Sequence, residues 1–282
     1  MRILTFDIEE WFHLLDNEST KTEKEWNKFP VRIYENMERI FSILGEADSK
    51  ASFFVLGWIA EKYPNVVREI CDRGYEIGSH TTLHQLVYSQ DRNSFFQDVD
   101  RSIKTLEDLI GKKVKMFRAP GFSITEENLW AFEVLCELGI EIDSSVFPAS
   151  RAHGGMPRYR VAQPSLLKYN GIQLKEFPIS TASILNKPLI FSGGGYFRLL
   201  PYSAVKSLTK NSDYIMSYFH PRDFDFNQPV IKNLPIHRKF KSYIGIKKAE
   251  NKLRRWVSDF EFIDIKKAND EINWDNVKII EL

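Results

Sequence analysis

The chain has 282 residues, and its balance of 43% hydrophobic and 27% charged residues excludes a disordered or low-complexity protein. The formal net charge is +1, so overall electrostatics give no support for nucleic-acid binding. Two cysteines, Cys71 and Cys136, are too few for a disulfide framework. The sequence shows neither a signal-peptide pattern nor a long apolar run, so we expect no membrane-spanning helix and a cytoplasmic location.

Short apolar runs alternate with helical patterns along the first half of the chain. Strands are predicted at 3–6, 51–56, 75–78, 114–117 and 140–142. Helices are predicted around 37–44, 66–71, 96–110 and 129–138, each followed by a glycine that ends it. This alternation predicts an α/β domain with parallel strands and outer helices, either a barrel or an open sheet.

The pattern loosens in the second half. A long loop is predicted over 144–170, strands at 171–177, 189–191, 214–219 and 260–263, and helices at 202–208 and 248–256. No linker divides the chain, so the sequence predicts a single domain over 1–282. Its core is expected at 1–228, with a basic C-terminal extension at 229–282 packed on it.

Polar residues recur just after the predicted strands. Five of them carry side chains that are common in catalysis: Asp7, His80, Arg118, Asp143 and His220. In parallel barrels the carboxyl ends of the strands share one face, and that face holds the site. The five side chains are therefore expected to converge.

His80 and His84 have the spacing of metal ligands. On a helical turn, an i, i+4 pair places two imidazoles on one face, where they can bind one ion. The alternative is a chance pair of surface histidines. The strand that precedes His80 and the acidic cluster at 7–10 favour the metal site.

The acidic cluster contains Asp7, Glu9 and Glu10. On an extended chain Asp7 and Glu9 point the same way, so one can complete a triad with the histidines while the other acts as a base on water. The alternative, a solvated acidic loop, fits poorly directly after a buried strand. A site of histidine and carboxylate suits Zn²⁺, with Co²⁺ or Ni²⁺ as alternatives.

Seven stretches extend this pattern over residues 5 to 225. They are TFDIEEWFH (5–13), SFFVLGWIAEKYP (52–64), GYEIGSHTTLH (74–84), FRAPGFSIT (117–125), DSSVFP (143–148), GGGYFRLLP (193–201) and YFHPRDFD (218–225). In this order they resemble the NodB-homology polysaccharide deacetylases, carbohydrate esterase family four in the broad sense. More narrowly, the chain resembles the branch found with bacterial exopolysaccharide and O-antigen clusters. The basic stretch FKSYIG near residue 240 also resembles that branch.

The resemblance implies a fold and an activity. The fold is a distorted (β/α)7 barrel, and the reaction is metal-dependent hydrolysis of an N-acetyl group on a sugar. By position in the motifs, Asp7 matches the general base, and His80 and His84 match two metal ligands. Arg118 matches the arginine that pairs with the base, and His220 matches the general acid.

One departure from the family affects the metal site. The common motif has two successive aspartates, of which the second binds metal, but Ile8 stands at that place here. Glu9 is the preferred ligand because it shares the side of the chain that carries Asp7, and Glu10 is the alternative. Asp143 lies where the family's fourth motif begins and is a further catalytic candidate.

Two other functions remain open. A metal-independent, allantoinase-like hydrolase of cyclic amides is disfavoured by the intact pair of His80 and His84. A catalytically inactive carbohydrate-binding relative is disfavoured because Asp7, Arg118 and His220 are all present, and a pure binder needs neither base nor acid.

The segment 232–255 is strongly basic, with nine Lys or Arg and one acidic residue, Glu250. A solvated helix face is one interpretation. The other is a patch for an anionic carrier such as a lipid diphosphate, a nucleotide sugar or a membrane surface. The expected partner is therefore an N-acetylated sugar or a lipid-linked glycan, with possible membrane contact through this segment and no nucleic acid.

Overall fold

The computed structural model describes residues 1–15, 17–150, 153–184, 187–231 and 234–282. Its strands are β1 (Arg2–Ile3), β2 (Thr5–Ile8), β3 (Ser52–Val55), β4 (Glu76–Ser79), β5 (Met116–Phe117), β6 (Ile142–Asp143), β7 (Ser165–Tyr169), β8 (Ile172–Glu176), β9 (Ala182–Ile184), β10 (Lys187–Leu189), β11 (Ile215–Met216) and β12 (Lys278–Glu281). Its helices are α1 (Glu23–Trp26), α2 (Ile33–Glu46), α3 (Gly57–Lys62), α4 (Pro64–Asp72), α5 (Arg92–Ile110), α6 (Trp130–Glu137), α7 (Gly194–Leu199), α8 (Tyr202–Lys210), α9 (Ile236–Tyr243), α10 (Ile246–Asp259) and α11 (Ile265–Glu271).

The main sheet contains eight strands in the order β12-β7-β8-β6-β5-β4-β3-β2. The strands from β2 to β6 and β8 are parallel, whereas β7 pairs antiparallel with β8 as a hairpin. Because consecutive parallel strands need a crossover, helices lie between them along the chain. The carboxyl ends of six strands therefore lie at one end of the sheet.

The segment around β11 closes this sheet into a barrel. β1 pairs with β11 in parallel, and Phe6 in β2 forms a parallel bridge with Phe219. On the opposite side, the N–H of Met216 donates to Ser180 Oγ at 3.1 Å, shortly after β8. Seven positions thus surround the barrel axis, namely β2, β3, β4, β5, β6, β8 and β11, which confirms the predicted distorted (β/α)7 barrel.

Simple sequence features set both ends of α5, whereas α2 continues through Gly45 to Glu46, beyond the glycine predicted to end it. Asp91 caps α5 by accepting the N–H of Ser94 at 2.7 Å, and Gly111 ends that helix in the left-handed region at φ 66°. In α2 the buried residues recur at helical spacing and pack on the sheet. None of the described helices has the length and apolar character needed to cross a membrane.

The structure corrects several predicted elements in the second half. β7 lies inside the predicted loop over 144–170, and the last strand is β12 rather than 260–263. Around residue 263 only one bridge forms, between Ile3 and Ile263. The C-terminal segment contacts the barrel closely, because β12 extends the main sheet and the Trp256 side chain is fully buried.

Candidate active site

Three side chains form a group that can hold a metal ion. One ligand atom from each of Glu9, His80 and His84 lies within 4.8 Å of the other two, and no other such group occurs among the described residues. Glu9 Oε2 is 2.8 Å from His84 Nε2, and the side chains are only 6% and 8% exposed. His80 Nδ1 donates to the carbonyl of Arg118 at 2.7 Å, which leaves Nε2 as an unprotonated ligand atom.

The histidines approach each other through a loop rather than a helical turn. Residues 80–84 follow β4 without helical structure, and Thr81 and His84 have φ values of 64° and 53°. A left-handed threonine costs about 1–3 kcal/mol and persists only where its surroundings fix it. Here Thr81 Oγ1 accepts the N–H of His84, and the Thr81 carbonyl accepts the N–H of Gly57. The predicted proximity is correct, but the predicted helix is wrong.

The protonation states of this group suit a cation. Burial lowers the pKa of His80 to about 4, so its imidazole is neutral at pH 7. Burial alone would raise the pKa of Glu9, but interactions with His84 and His220 lower it to about 2. A neutral imidazole and an ionised carboxylate are the forms that bind metal ions. The donor set of one carboxylate and two imidazoles therefore fits a divalent first-row ion.

Asp7 and Arg118 form a buried ion pair next to this group. Arg118 Nη1 lies 2.7 Å from Asp7 Oδ1 and donates to Thr5 Oγ1 at 2.8 Å. Its remaining N–H groups donate to the carbonyl and the hydroxyl of Ser144, and the guanidinium lies over the Phe54 ring at 4.2 Å. With five contacts the arginine has one orientation, so it holds the Asp7 carboxylate in place.

His220 faces both acids from the closing segment. Its Nε2 lies 3.9 Å from Asp7 Oδ2 and 3.6 Å from Glu9 Oε1, and its Nδ1 contacts Asp223 Oδ2 at 3.1 Å. Asp223 is in turn 3.3 Å from Arg198 Nε. Burial alone would lower the pKa of His220, but the charge of Glu9 and the hydrogen bond to Asp223 raise it to about 9. The imidazole therefore holds a proton that it can give to a leaving group.

Glu10, the alternative ligand, has a different role. Its Oε1 accepts the N–H groups of Arg32 and Ile33 at 2.6 and 2.7 Å, at the start of α2. It is not part of the metal group. Burial raises the pKa of Glu10 to about 7. Glu10 thus anchors a helix N-terminus, while Glu9 turns to the two histidines.

Comparisons with protein families match two regions of the chain. Residues 23–140, which contain both histidines and Arg118, match the polysaccharide deacetylase family. This part of the chain is therefore similar to the polysaccharide deacetylases. Residues 144–270 match a domain of unknown function, DUF3473, and include His220 and Asp223. Asp7 and Glu9 precede both matched regions.

Two curated relatives are named as deacetylases. A peptidoglycan-N-acetylglucosamine deacetylase from Bacillus cereus is 34% identical over 96 residues, which is 34% of this chain and 35% of the relative. A chitooligosaccharide deacetylase from Azorhizobium caulinodans is 32% identical over 82 residues, 29% of this chain and 39% of the relative. The chain thus matches little more than a third of the length of these curated relatives.

Solved structures share the fold over nearly the whole chain. A Mycobacterium smegmatis protein assigned as a polysaccharide deacetylase has a TM-score of 0.68 at 19% identity, covering 99% of this chain and 92% of that one. A family 4 carbohydrate esterase pseudoenzyme from Bacillus anthracis has a TM-score of 0.52 at 12% identity, covering 100% of this chain and 69% of that one. At these identities the likeness establishes the deacetylase fold alone.

Asp143 lies apart from the other predicted site residues. It is fully buried at the end of β6, and both of its carboxylate oxygens accept hydrogen bonds from Ser145. Its remaining hydrogen-bond partner is Glu176 on the neighbouring strand. The structure therefore brings together Asp7, Arg118, His220 and the metal group, but it does not place Asp143 in contact with them.

The sequence analysis missed the residues that orient His220. Asp223 follows His220 by three positions within the quoted motif YFHPRDFD, and Arg198 stands in GGGYFRLLP. The spacing of histidine and aspartate was the available signal, since an acid three residues after a histidine can reach back to it across a turn. The Arg198 contact joins segments that are distant in sequence, and no local pattern indicates it.

Proposed function

We propose that this protein is a metal-dependent hydrolase that removes an N-acetyl group from an amino sugar in a bacterial glycan or glycan precursor. One observation carries the proposal: the buried group of Glu9, His80 and His84 lies beside an Arg118-paired Asp7. This arrangement combines a cation site with a carboxylate that can act as a base, which suits metal-assisted amide hydrolysis. The names of the curated deacetylase relatives support the same reaction class.

The metal is proposed to be Zn²⁺, with Co²⁺ or Ni²⁺ as alternatives, held by Glu9, His80 and His84. When bound, such an ion supplies a Lewis acid that polarises an amide carbonyl and lowers the pKa of water toward roughly 7. Two imidazoles and one carboxylate leave ligand positions open, as in catalytic rather than structural zinc sites.

The remaining steps belong to side chains of the chain itself. Asp7 takes the proton of the attacking water, and Arg118 keeps that carboxylate fixed. His220, held through Nδ1 by Asp223, gives a proton to the amine nitrogen as the C–N bond breaks. The products are acetate and a free amino sugar.

The activity is tested by release of acetate from a panel of N-acetylated sugars. Peptidoglycan fragments and chitooligosaccharides are the first substrates, because the curated relatives are named for them. We expect release with added Zn²⁺, Co²⁺ or Ni²⁺, and loss of at least about 10²-fold in rate after chelation, with recovery on adding the metal back. Turnover that is indifferent to chelation would favour an allantoinase-like hydrolase instead.

The second candidate function is an inactive protein that only binds carbohydrate, and one structural neighbour is an inactive member of the fold, a pseudoenzyme. If this protein were inactive in that way, it would bind glycan without releasing acetate from any sugar of the panel. The presence of Asp7, Arg118 and His220 in hydrogen-bonding or ion-pairing contact supports an active enzyme, since binding alone needs no such arrangement.

The substrate is further proposed to be an exopolysaccharide or O-antigen precursor carried at a membrane. Of the basic segment 232–255, residues 232 and 233 lie outside the described residues. The structure separates the others: Arg254 is paired with Glu46 and Glu250, and Lys252 donates to carbonyls at the end of α7. The contact is proposed for α9, although Lys247 and Lys248 in α10 are also exposed. The cytoplasmic location and the absence of nucleic-acid partners stay predictions.

The helix α9 has the features of an interfacial helix. Ile236 is 88% exposed and Phe240, one turn later, is 56% exposed, with Lys239 and Lys241 exposed beside them. Arg238 Nη2 donates to the carbonyl of Leu15 at 2.6 Å, which connects α9 to the segment that follows the acidic ligand motif. A membrane bound through α9 would thus lie near the catalytic residues.

Vesicle binding tests this contact. We expect the protein to sediment with vesicles that contain anionic lipid, and the double substitution Ile236→Glu with Phe240→Glu to lower the partition coefficient by roughly tenfold or more, since each buried side chain contributes about 1.5–3 kcal/mol. Ile279→Glu is the matched control, because Ile279 is 48% exposed on β12. Equal binding to neutral and anionic vesicles would contradict an anionic membrane partner.

A further inference from the structure

Behind the ion pair of Asp7 and Arg118 lies a second pair of carboxyl groups. Asp143 and Glu176 face each other across β6 and β8 in parallel register, and both are fully buried. They hydrogen-bond to each other, and burial together with the mutual interaction raises the pKa of both. Two carboxylates in contact away from water cannot both be charged, so the pair holds one proton.

The surrounding donors decide where that proton lies. Both oxygens of Asp143 accept from Ser145, from its N–H at 2.9 Å and its hydroxyl at 2.6 Å. Glu176 Oε1 accepts the N–H of Val146 at 3.1 Å, while its Oε2 has no donor among the described residues. Asp143 is therefore the stabilised anion, and Glu176 carries the proton on Oε2 and donates it to Asp143.

The pair of Asp143 and Glu176 contacts the turn that holds Arg118. The turn is residues 144–146, and the carboxyl pair accepts hydrogen bonds from its last two residues. The first residue, Ser144, accepts from Arg118 Nη2 at 2.9 Å and from Nε at 3.2 Å. Ser145 Oγ also accepts the N–H of Ala119, directly after the arginine, at 2.8 Å. The pair thus helps to set the position of the turn, together with the bonds from the N–H of Ser144 to the Phe117 carbonyl at 2.9 Å and from Ser144 Oγ to the Phe177 carbonyl at 2.8 Å.

We propose that Glu176 is a positioning residue for Arg118, acting through the proton it shares with Asp143 and through the 144–146 turn. The inference rests on the proposed deacetylase function, since it concerns the arginine that holds Asp7. Loss of the Glu176 proton would place a second negative charge against Asp143 and separate the two strands at the turn. Arg118 would then lose its two contacts with Ser144.

Kinetics of two substitutions test the role. In Glu176→Gln the amide oxygen can still accept from Val146 and the amide N–H can donate to Asp143, so we expect kcat within a few-fold of the original. Glu176→Leu removes both functions, and we expect kcat to fall about 10²-fold, the cost of a misplaced reacting group, with KM and metal content unchanged. The control is Leu174→Ala on the same strand, where Leu174 is 2% exposed. It should lower the melting temperature without this loss of kcat.

An infrared measurement covers the case in which Glu176→Leu does not fold. The difference spectrum between the original protein and Glu176→Gln at pH 7 should contain the carbonyl stretch of a buried protonated carboxylic acid, from which the contribution of Glu10 cancels because it is common to both proteins. This readout needs no turnover, so its failure is distinct from failure of the deacetylase proposal. Absence of the difference band, equal loss of kcat in Glu176→Gln and Glu176→Leu, or equal loss in Leu174→Ala would each overturn the positioning role.

Discussion

Replacement of Asp7 by Asn is expected to abolish acetate release while leaving the metal bound. The substitution keeps the shape of the side chain but removes the base, and general-base catalysis typically contributes 10²–10⁴-fold. Asp7 is not a member of the metal group, so metal stoichiometry should stay at the original value. Single-turnover acetate release and elemental analysis of the same sample measure the two effects. Unchanged acetate release would rule out Asp7 as the base.

The control for this variant is Asp225→Asn. Asp225 is also buried and also pairs with an arginine, with 3.0 Å between Arg32 Nη2 and Asp225 Oδ1. Loss of one partner from a buried ion pair destabilises a protein by about 3–5 kcal/mol. Both variants should therefore lower the melting temperature, but only Asp7→Asn should remove turnover. A similar loss of kcat in both would assign the effect to stability.

Replacement of Glu9 by Gln is expected to release the metal, whereas replacement of Glu10 by Gln is not. Removing the charge from a direct ligand should lower metal affinity by more than the 10–100-fold known for outer partners of metal sites. Glu10→Gln keeps the oxygen that accepts from Arg32 and Ile33, so both helix and metal site should survive. Titration of the metal-free proteins with Zn²⁺ measures the two affinities.

A third variant separates the structural role of Glu10 from metal binding. Glu10→Ala removes the cap of α2 and should lower the free energy of unfolding by about 0.5–2 kcal/mol. Its metal affinity should stay closer to the original value than that of Glu9→Gln. If instead Glu10→Gln lost the metal and Glu9→Gln kept it, the ligand assignment would have to be reversed.

The site residues that the sequence predicts are those at the carboxyl ends of the parallel strands. Asp7, His80, Arg118 and His220 each lie at or directly after a parallel strand or its bridge, and parallel strands bring their carboxyl ends together. This rule needs only the alternation of apolar runs and helical stretches. It gave the parallel α/β arrangement and four side chains of the site without any knowledge of side-chain contacts, whereas the barrel was implied by the family resemblance.

What remained unpredictable depends on contacts between distant segments or on backbone states outside regular structure. The left-handed residues Thr81 and His84 have no sequence signature, since neither is the glycine or asparagine that usually marks such positions. The choice between Glu9 and Glu10 was decided by the start of α2, more than 20 residues away. β7 was taken for loop because its hydrogen bonds come from the hairpin partner β8 and from β12, which follows it by more than 100 residues.

The pairing of β1 and β2 with the closing segment has a consequence for biosynthesis. Thr5 meets Ser217 across 212 positions of the chain. At roughly 5–20 residues per second, a ribosome needs about 10–40 s to supply this partner, and until then the apolar edge of the first strands is open. Such non-local pairing slows folding and exposes nascent chains to aggregation. Yield of soluble protein should therefore depend on translation speed and on chaperones more than the size of the barrel suggests.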